Sequence, residues 1–140
     1  MNEILNFAQQ HLLLIVGWFV LLFAIIGMEL VNNRSKAPQI SAQQLVELIN
    51  NESVKAIDIR NSQNFRQSHI LNTKNIPWLN QEETVFQALK NDAIVLICQQ
   101  GITANQLADK LKKQGFNQIK VLNGGIQAWQ QASLPLVKGK

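Results

Sequence analysis

The hydrophobic positions of this chain divide it into two parts. From Leu12 to Met28 the side chains are apolar without interruption and none is charged; Leu30 and Val31 carry the run past Glu29. Beyond residue 40 the apolar positions come in short, spaced groups. Ser41-Ala-Gln-Gln44 has the form of a capping box and predicts a helix with Leu45, Leu48 and Ile49 on its inner face. Val54–Ile57 predicts a strand ending at Asp58-Ile59-Arg60, Asn61–Gln67 a loop or single helical turn, and Ile76-Pro77 the close of a second short extended piece. Gln81–Lys90 predicts a helix with Val85, Phe86 and Leu89 inward. Ala93–Ile97 is apolar on both faces, as a central parallel strand is. Thr103–Gln114 follows as an amphipathic helix burying Leu107, Ala108 and Leu111, with Gly115 placed to end it in a left-handed conformation. Ile119–Leu122 predicts a further strand, Asn123-Gly124-Gly125 a tight turn, and Ile126–Gln131 a last helix. Strands alternating with helices at this spacing predict an α/β domain, a small parallel sheet flanked by helices.

The uninterrupted run has the length of a membrane span, since about 20 helical residues cross a hydrocarbon core of about 30 Å. A helix apolar on every face could instead be a core helix, but the rest of the chain is too small to enclose it. A cleaved signal peptide would carry basic residues before the run, and residues 1–10 hold none; nor does a small-residue cleavage pattern follow. The expectation is one transmembrane helix over about 12–31, within an N-terminal segment of residues 1–31. Glu3 precedes the run, whereas Arg34 and Lys36 follow it, so the positive-inside rule puts the N-terminus outside and residues 32 onward in the cytoplasm. Residues 32–39, with Asn32, Asn33, Ser35 and Pro38, read as a linker; 40–136 as the folded domain; 137–140 as a basic tail.

Charge changes this picture little. The 13 Lys and Arg against 9 Asp and Glu give +4, but the cations are scattered and interleaved with acids, so no nucleic-acid partner is expected. The local excesses, Lys110, Lys112 and Lys113 and the tail Lys138 and Lys140, read as a solvated surface or a mild attraction to anionic lipid. The single cysteine excludes an internal disulfide and fits a reducing compartment.

That cysteine, Cys98, directly follows the most apolar strand, at the strand end where ligands of parallel sheets gather. The loop Gln99-Gln100-Gly101-Ile102-Thr103 then leads into a helix, whose N-terminus carries partial positive charge and free N–H groups. Gly101 permits backbone angles closed to other residues. Such an environment favours a thiolate and an anionic adduct. A buried structural cysteine is the competing reading, because cysteine is among the most buried residue types.

From about Ile40 to Pro135 the chain resembles a single-domain rhodanese, of the sulfurtransferase family. The resemblance rests on Ile57-Asp58-Ile59-Arg60, Phe65, His69-Ile70, Asn75-Ile76-Pro77, the loop Cys98–Ala104, and Gly115-Phe116, Val121–Gly125, Ala128-Trp129 and Leu134-Pro135. With its membrane helix, the whole chain is similar to membrane-anchored bacterial rhodaneses, which implies the bacterial inner membrane. The resemblance implies covalent catalysis: the Cys98 thiolate takes sulfur from a sulfane donor, holds it as a persulfide among the backbone N–H groups of Gln99, Gln100, Gly101, Ile102 and Thr103, and yields it to a thiol or cyanide. No metal or organic cofactor is implied. Related phosphatases need Arg six residues after the cysteine; Ala104 stands there, which excludes phosphate chemistry.

Two departures from the family pattern matter. The loop lacks Arg or Lys, so a protein or low-molecular-weight persulfide is expected to serve better than thiosulfate. Ser68 replaces the glycine that usually precedes the family's histidine. Asp58 and Arg60 read as a structural pair, with Arg60 or Arg66 able to lend positive potential to the site; His69 and Trp129 read as structural, and Trp78 as a candidate for the pocket mouth. The alternative function is a membrane-tethered binding module that recruits a membrane protein without catalysis, which the neutral loop favours. A redox sensor would need a resolving thiol that this chain does not contain.

Overall fold

The computed structural model describes residues 11–34, 36–78 and 83–139. The chain forms two units, Met1–Ser35 and Lys36–Lys140. Among its described residues the first holds one helix, α1 (Leu12–Arg34), of which Leu12–Leu30 is long and apolar enough to cross a membrane and has no buried share.

In the second unit, β1 (Gln39–Ile40), α2 (Ala42–Asn50), β2 (Lys55–Asp58), α3 (Ser62–Gln67), β3 (Thr73–Asn75), a 3₁₀ helix (Glu83–Leu89), β4 (Ile94–Ile97), α4 (Ile102–Lys113), β5 (Ile119–Leu122) and α5 (Gly125–Gln131) follow in order. The strands make one parallel sheet in the order β1-β5-β4-β2-β3, with β4 in the middle. All four residues of β4 are buried, and they divide between two cores. Ile94, Leu96 and then Cys98 face Leu107, Leu111, Phe116 and Phe86; Val95 and Ile97 face Leu45, Ile70, Ile126 and Trp129. This is the layered α/β architecture expected from the alternation of elements.

The local signals act as expected at several points. Ser41 caps α2 in a full capping box: its side chain accepts from the Gln44 N–H, and the Gln44 carboxamide accepts from the Ser41 N–H. Gly115 takes φ +92°, the Phe116 N–H reaches back to the Leu111 carbonyl (3.1 Å), and both side chains are buried in one core. That is a Schellman stop with its hydrophobic contact. Trp129 is buried and donates its Nε1–H to the Pro135 carbonyl (3.0 Å), closing the C-terminal segment over α5.

One expectation is corrected, and two are given sharper bounds. The segment expected to be a helix over 81–90 is a 3₁₀ helix over Glu83–Leu89, and Gln81 lies outside the described residues. Val85, expected inward, is 52% exposed, while Phe86 is buried and Leu89 packs partly against the same core. Three residues per turn put 86 and 89 on one side and turn 85 away. Asn61–Gln67 is a defined helix over Ser62–Gln67, begun by the Asn61 side chain accepting from the Asn64 N–H. The stretch read as a linker is helical through Arg34 and already in the sheet at Gln39.

Candidate active site

Cys98 is the first residue beyond β4 and is 5% exposed. Its Sγ accepts two backbone hydrogen bonds, from the Gly101 N–H (3.0 Å) and the Ala104 N–H (3.4 Å). Helix α4 begins at Ile102 after Gly101 in the left-handed region (φ +89°), and no side-chain hydrogen bond caps it. Ala104 is its third residue, whose N–H an N-cap side-chain oxygen would ordinarily take. The Cys98 sulfur receives that N–H instead. The strand thus ends by pointing its sulfur at the positive end of a helix, and both contacts grow stronger if the sulfur carries negative charge.

A second turn holds this loop in shape. The Ile126 and Gln127 N–H groups donate to the carbonyls of Cys98 (2.9 Å) and Gln99 (3.2 Å). With its carbonyls drawn toward α5, the loop is left to direct N–H groups toward the sulfur. Contact this close requires glycine: a Cβ on Gly125 (φ +58°) would collide with the Cys98 carbonyl, and one on Gly101 would lie 3.1 Å from the Gly124 nitrogen. Replacing Gly125 with Ala is therefore expected to displace the loop. The left-handed angle alone costs about 1–2 kcal/mol, and a reacting group misplaced by about 1 Å loses about a hundredfold in rate. Comparing kcat with thermal stability in this variant checks that the loss of turnover exceeds the loss of folded protein.

Of the residues anticipated from sequence, Gly101 is buried beside the sulfur, while the side chains of Gln99, Gln100, Ile102 and Thr103 are exposed around it. The Ala104 N–H, rather than a residue of 99–103, makes the second contact with sulfur. Arg60 faces inward. Its Nε and Nη2 bind both oxygens of the buried Asp58 (2.7–3.1 Å), Nη2 also binds the Ser68 carbonyl (2.6 Å), and Nη1 reaches the Gln99 Oε1 (3.3 Å). It touches the loop only through Gln99, as a positioning contact. His69 is buried, stacks on Phe65 (centroids 3.9 Å apart) and places Nδ1 2.8 Å from the Phe65 carbonyl oxygen. Trp78 packs against the core that contains Cys98, with Lys110 Nζ 5.3 Å from its ring centre. Among the described residues no three His, Cys, Asp or Glu side chains gather in a way that could hold a metal.

Sequence reasoning missed Ala104 and the Gly124-Gly125 turn as parts of the site. A glycine pair after a strand was visible as a turn, but its contact with a loop 25 residues upstream follows only from the pairing of β4 with β5.

Comparison with known proteins agrees with this geometry. Residues 41–132 match the model of the rhodanese-like domain. A protein of Escherichia coli K12, YibN, is 31% identical over the full length of both chains. The thiosulfate sulfurtransferase GlpE of Shewanella oneidensis is 32% identical across 71% of this chain and 98% of its own. The crystal structure of a rhodanese-related protein from Thermoplasma volcanium superposes with a TM-score of 0.61 at 25% identity, over 71% of this chain and 97% of that one. With a parallel sheet that delivers Cys98 into a loop of N–H groups, and a family match across most of its length, the chain belongs to the rhodanese-like domain family.

Proposed function

We propose that this protein is a membrane-anchored sulfurtransferase of the bacterial inner membrane that carries sulfane sulfur as a persulfide on Cys98. The observation that carries the reading is the pair of N–H groups aimed at a buried sulfur at a helix N-terminus. In the first half-reaction the Cys98 thiolate attacks the outer sulfur of a donor R–S–S⁻. The donor's S–S bond breaks, R–S⁻ leaves with the electron pair, and Cys98–S–S⁻ remains. In the second, an acceptor thiolate attacks the outer sulfur of that persulfide and Cys98 departs as thiolate. Two electrons move with each bond exchange, so no external oxidant is needed. The loop N–H groups of residues 99–104 would hold the persulfide anion, and α1 would fix the domain on the cytoplasmic face, N-terminus outward.

The donor class follows from charge. The guanidinium of Arg60, which contacts the loop, is occupied by Asp58, Ser68 and Gln99, and the loop side chains are neutral. A dianion such as thiosulfate gains no cation from the loop's own side chains, whereas the single charge of a persulfide on a peptide or small thiol is met by the N–H groups. The test is intact-protein mass after donor treatment: a gain of about 32 Da, one sulfur atom, on the peptide containing Cys98 and reversed by a thiol. No gain with thiosulfate, glutathione persulfide or polysulfide sinks the reading. The same neutral mouth favours a second reading, a tethered module that binds a membrane protein. In that case crosslinking in intact membranes captures one partner whether or not Cys98 is alkylated.

A further inference from the structure

We propose that the lysine-rich last turn of α4, with Lys36, binds the anionic phospholipid headgroups of the membrane that holds α1; this rests on the reading of α1 as an anchor. The second unit begins at Lys36, and its first residues are fastened along one side of α4. Lys112 Nζ donates to the Lys36 carbonyl (2.8 Å), the Ala37 N–H to Asp109 Oδ1 (3.1 Å), and Gln39 Nε2 to Asn105 Oδ1 (3.2 Å). Residues 105, 109 and 112 lie four and three apart, on a single helical face.

Chain length then limits how far this face can stand from the bilayer. The apolar span ends at Leu30 and the helix at Arg34. Four helical residues and two more, even at the full reach of the chain, cover at most about 13 Å. The headgroup layer is about 5–8 Å deep, and charge is felt about 8–10 Å beyond it at physiological salt. Lys36 therefore falls within the field of the lipid phosphates however the linker turns, and it brings with it the α4 turn to which it is bonded.

That turn is cationic. Lys110 and Lys113 are exposed, as is Lys36, and Lys112 is half-buried. Asp109, the acid among them, has an oxygen occupied by the Ala37 N–H. The helix's negative C-terminal end favours lysines in its last turn, but Lys36 belongs to no helix, so that preference does not explain the full cluster.

The test is lysine acetylation by a neutral reagent, read by peptide mass spectrometry, on the full-length protein in two vesicle types. One is phosphatidylcholine; the other is an equimolar mixture with phosphatidylglycerol. Lys36, Lys110 and Lys113 are expected to react about fivefold more slowly in the anionic vesicles, the ratio that contact with the lipid surface gives each lysine. Molar salt should erase the difference, and Lys55 and Lys74 should react alike in both. Equal rates at Lys36, Lys110 and Lys113, or equal slowing at Lys74, overturn the proposal while leaving the anchor intact. Release of the protein from phosphatidylcholine vesicles by alkaline carbonate overturns the anchor itself.

Discussion

The Cys98→Ser variant is expected to lose sulfur transfer by more than about a thousandfold, the scale seen when a covalent nucleophile is removed, while keeping its fold. A serine hydroxyl becomes a nucleophile only when a neighbouring base takes its proton. Both recorded partners of Sγ, the Gly101 and Ala104 N–H groups, are donors. They hold an anion once formed but remove no proton, so they offer a hydroxyl no base. The thiolate is also the only species of the two that forms an S–S bond with sulfane sulfur. Stability should change little, because an oxygen at this position still accepts the two N–H groups; a difference within about 1 kcal/mol is expected. Cyanide-dependent sulfur transfer and thermal melting, measured on the same preparations, separate the two effects. Transfer that survives the substitution would mean that sulfur does not travel on this thiol. A collapse in melting temperature would make Cys98 a packing residue.

The sequence made some of this architecture readable and concealed the rest, for physical reasons. β4 and α4 announced themselves because each obeys one rule along its whole length: a strand buried on both faces is apolar throughout, and a helix packed on one face is apolar every three to four residues. The Ser41 capping box and the Gly115 stop were readable because their partners lie within a few residues. β1 was not, because two residues become a strand only by pairing with Val121 and Leu122, some 80 residues away. Val85 misled because Val85, Phe86 and Leu89 also fit an α-helical face. At the site, Cys98 and Gly101 were legible from their place after the strand. The Asp58–Arg60 pair was legible too, being two residues apart, but what shapes the loop, namely the donors of Ile126 and Gln127 and the reach of Arg60 to Gln99, comes from contacts across the sheet that no local pattern encodes.

Replacing Asp58 with Ala is expected to destabilise the second unit by about 3–5 kcal/mol, the cost of leaving one partner of a buried ion pair without the other. Asp58 is fully buried and the Arg60 side chain is 6% exposed, so water cannot replace the lost carboxylate. The variant removes three hydrogen bonds to the Arg60 guanidinium and one to the Arg60 N–H, which strands the charge at the corner between β2 and α3. Asn75 Nδ2 holds the same corner through the carbonyls of Asp58 and Arg60 (both 2.9 Å) and survives the change, so the defect is electrostatic more than conformational. A domain of this size has about 5–15 kcal/mol in all, so the variant should unfold at markedly lower urea. The pairing argument makes a sharper claim. Asp58→Leu combined with Arg60→Leu should cost less than Asp58→Ala alone, because the double variant leaves no unpaired charge behind. If the double variant is the less stable of the two, the pair itself is not the source of the loss. If Asp58→Ala costs under about 1 kcal/mol, as a solvent-screened pair would, the guanidinium has found water. Arg60 would then be free to bind a dianionic donor, and the proposed preference for persulfides over thiosulfate should weaken in that variant.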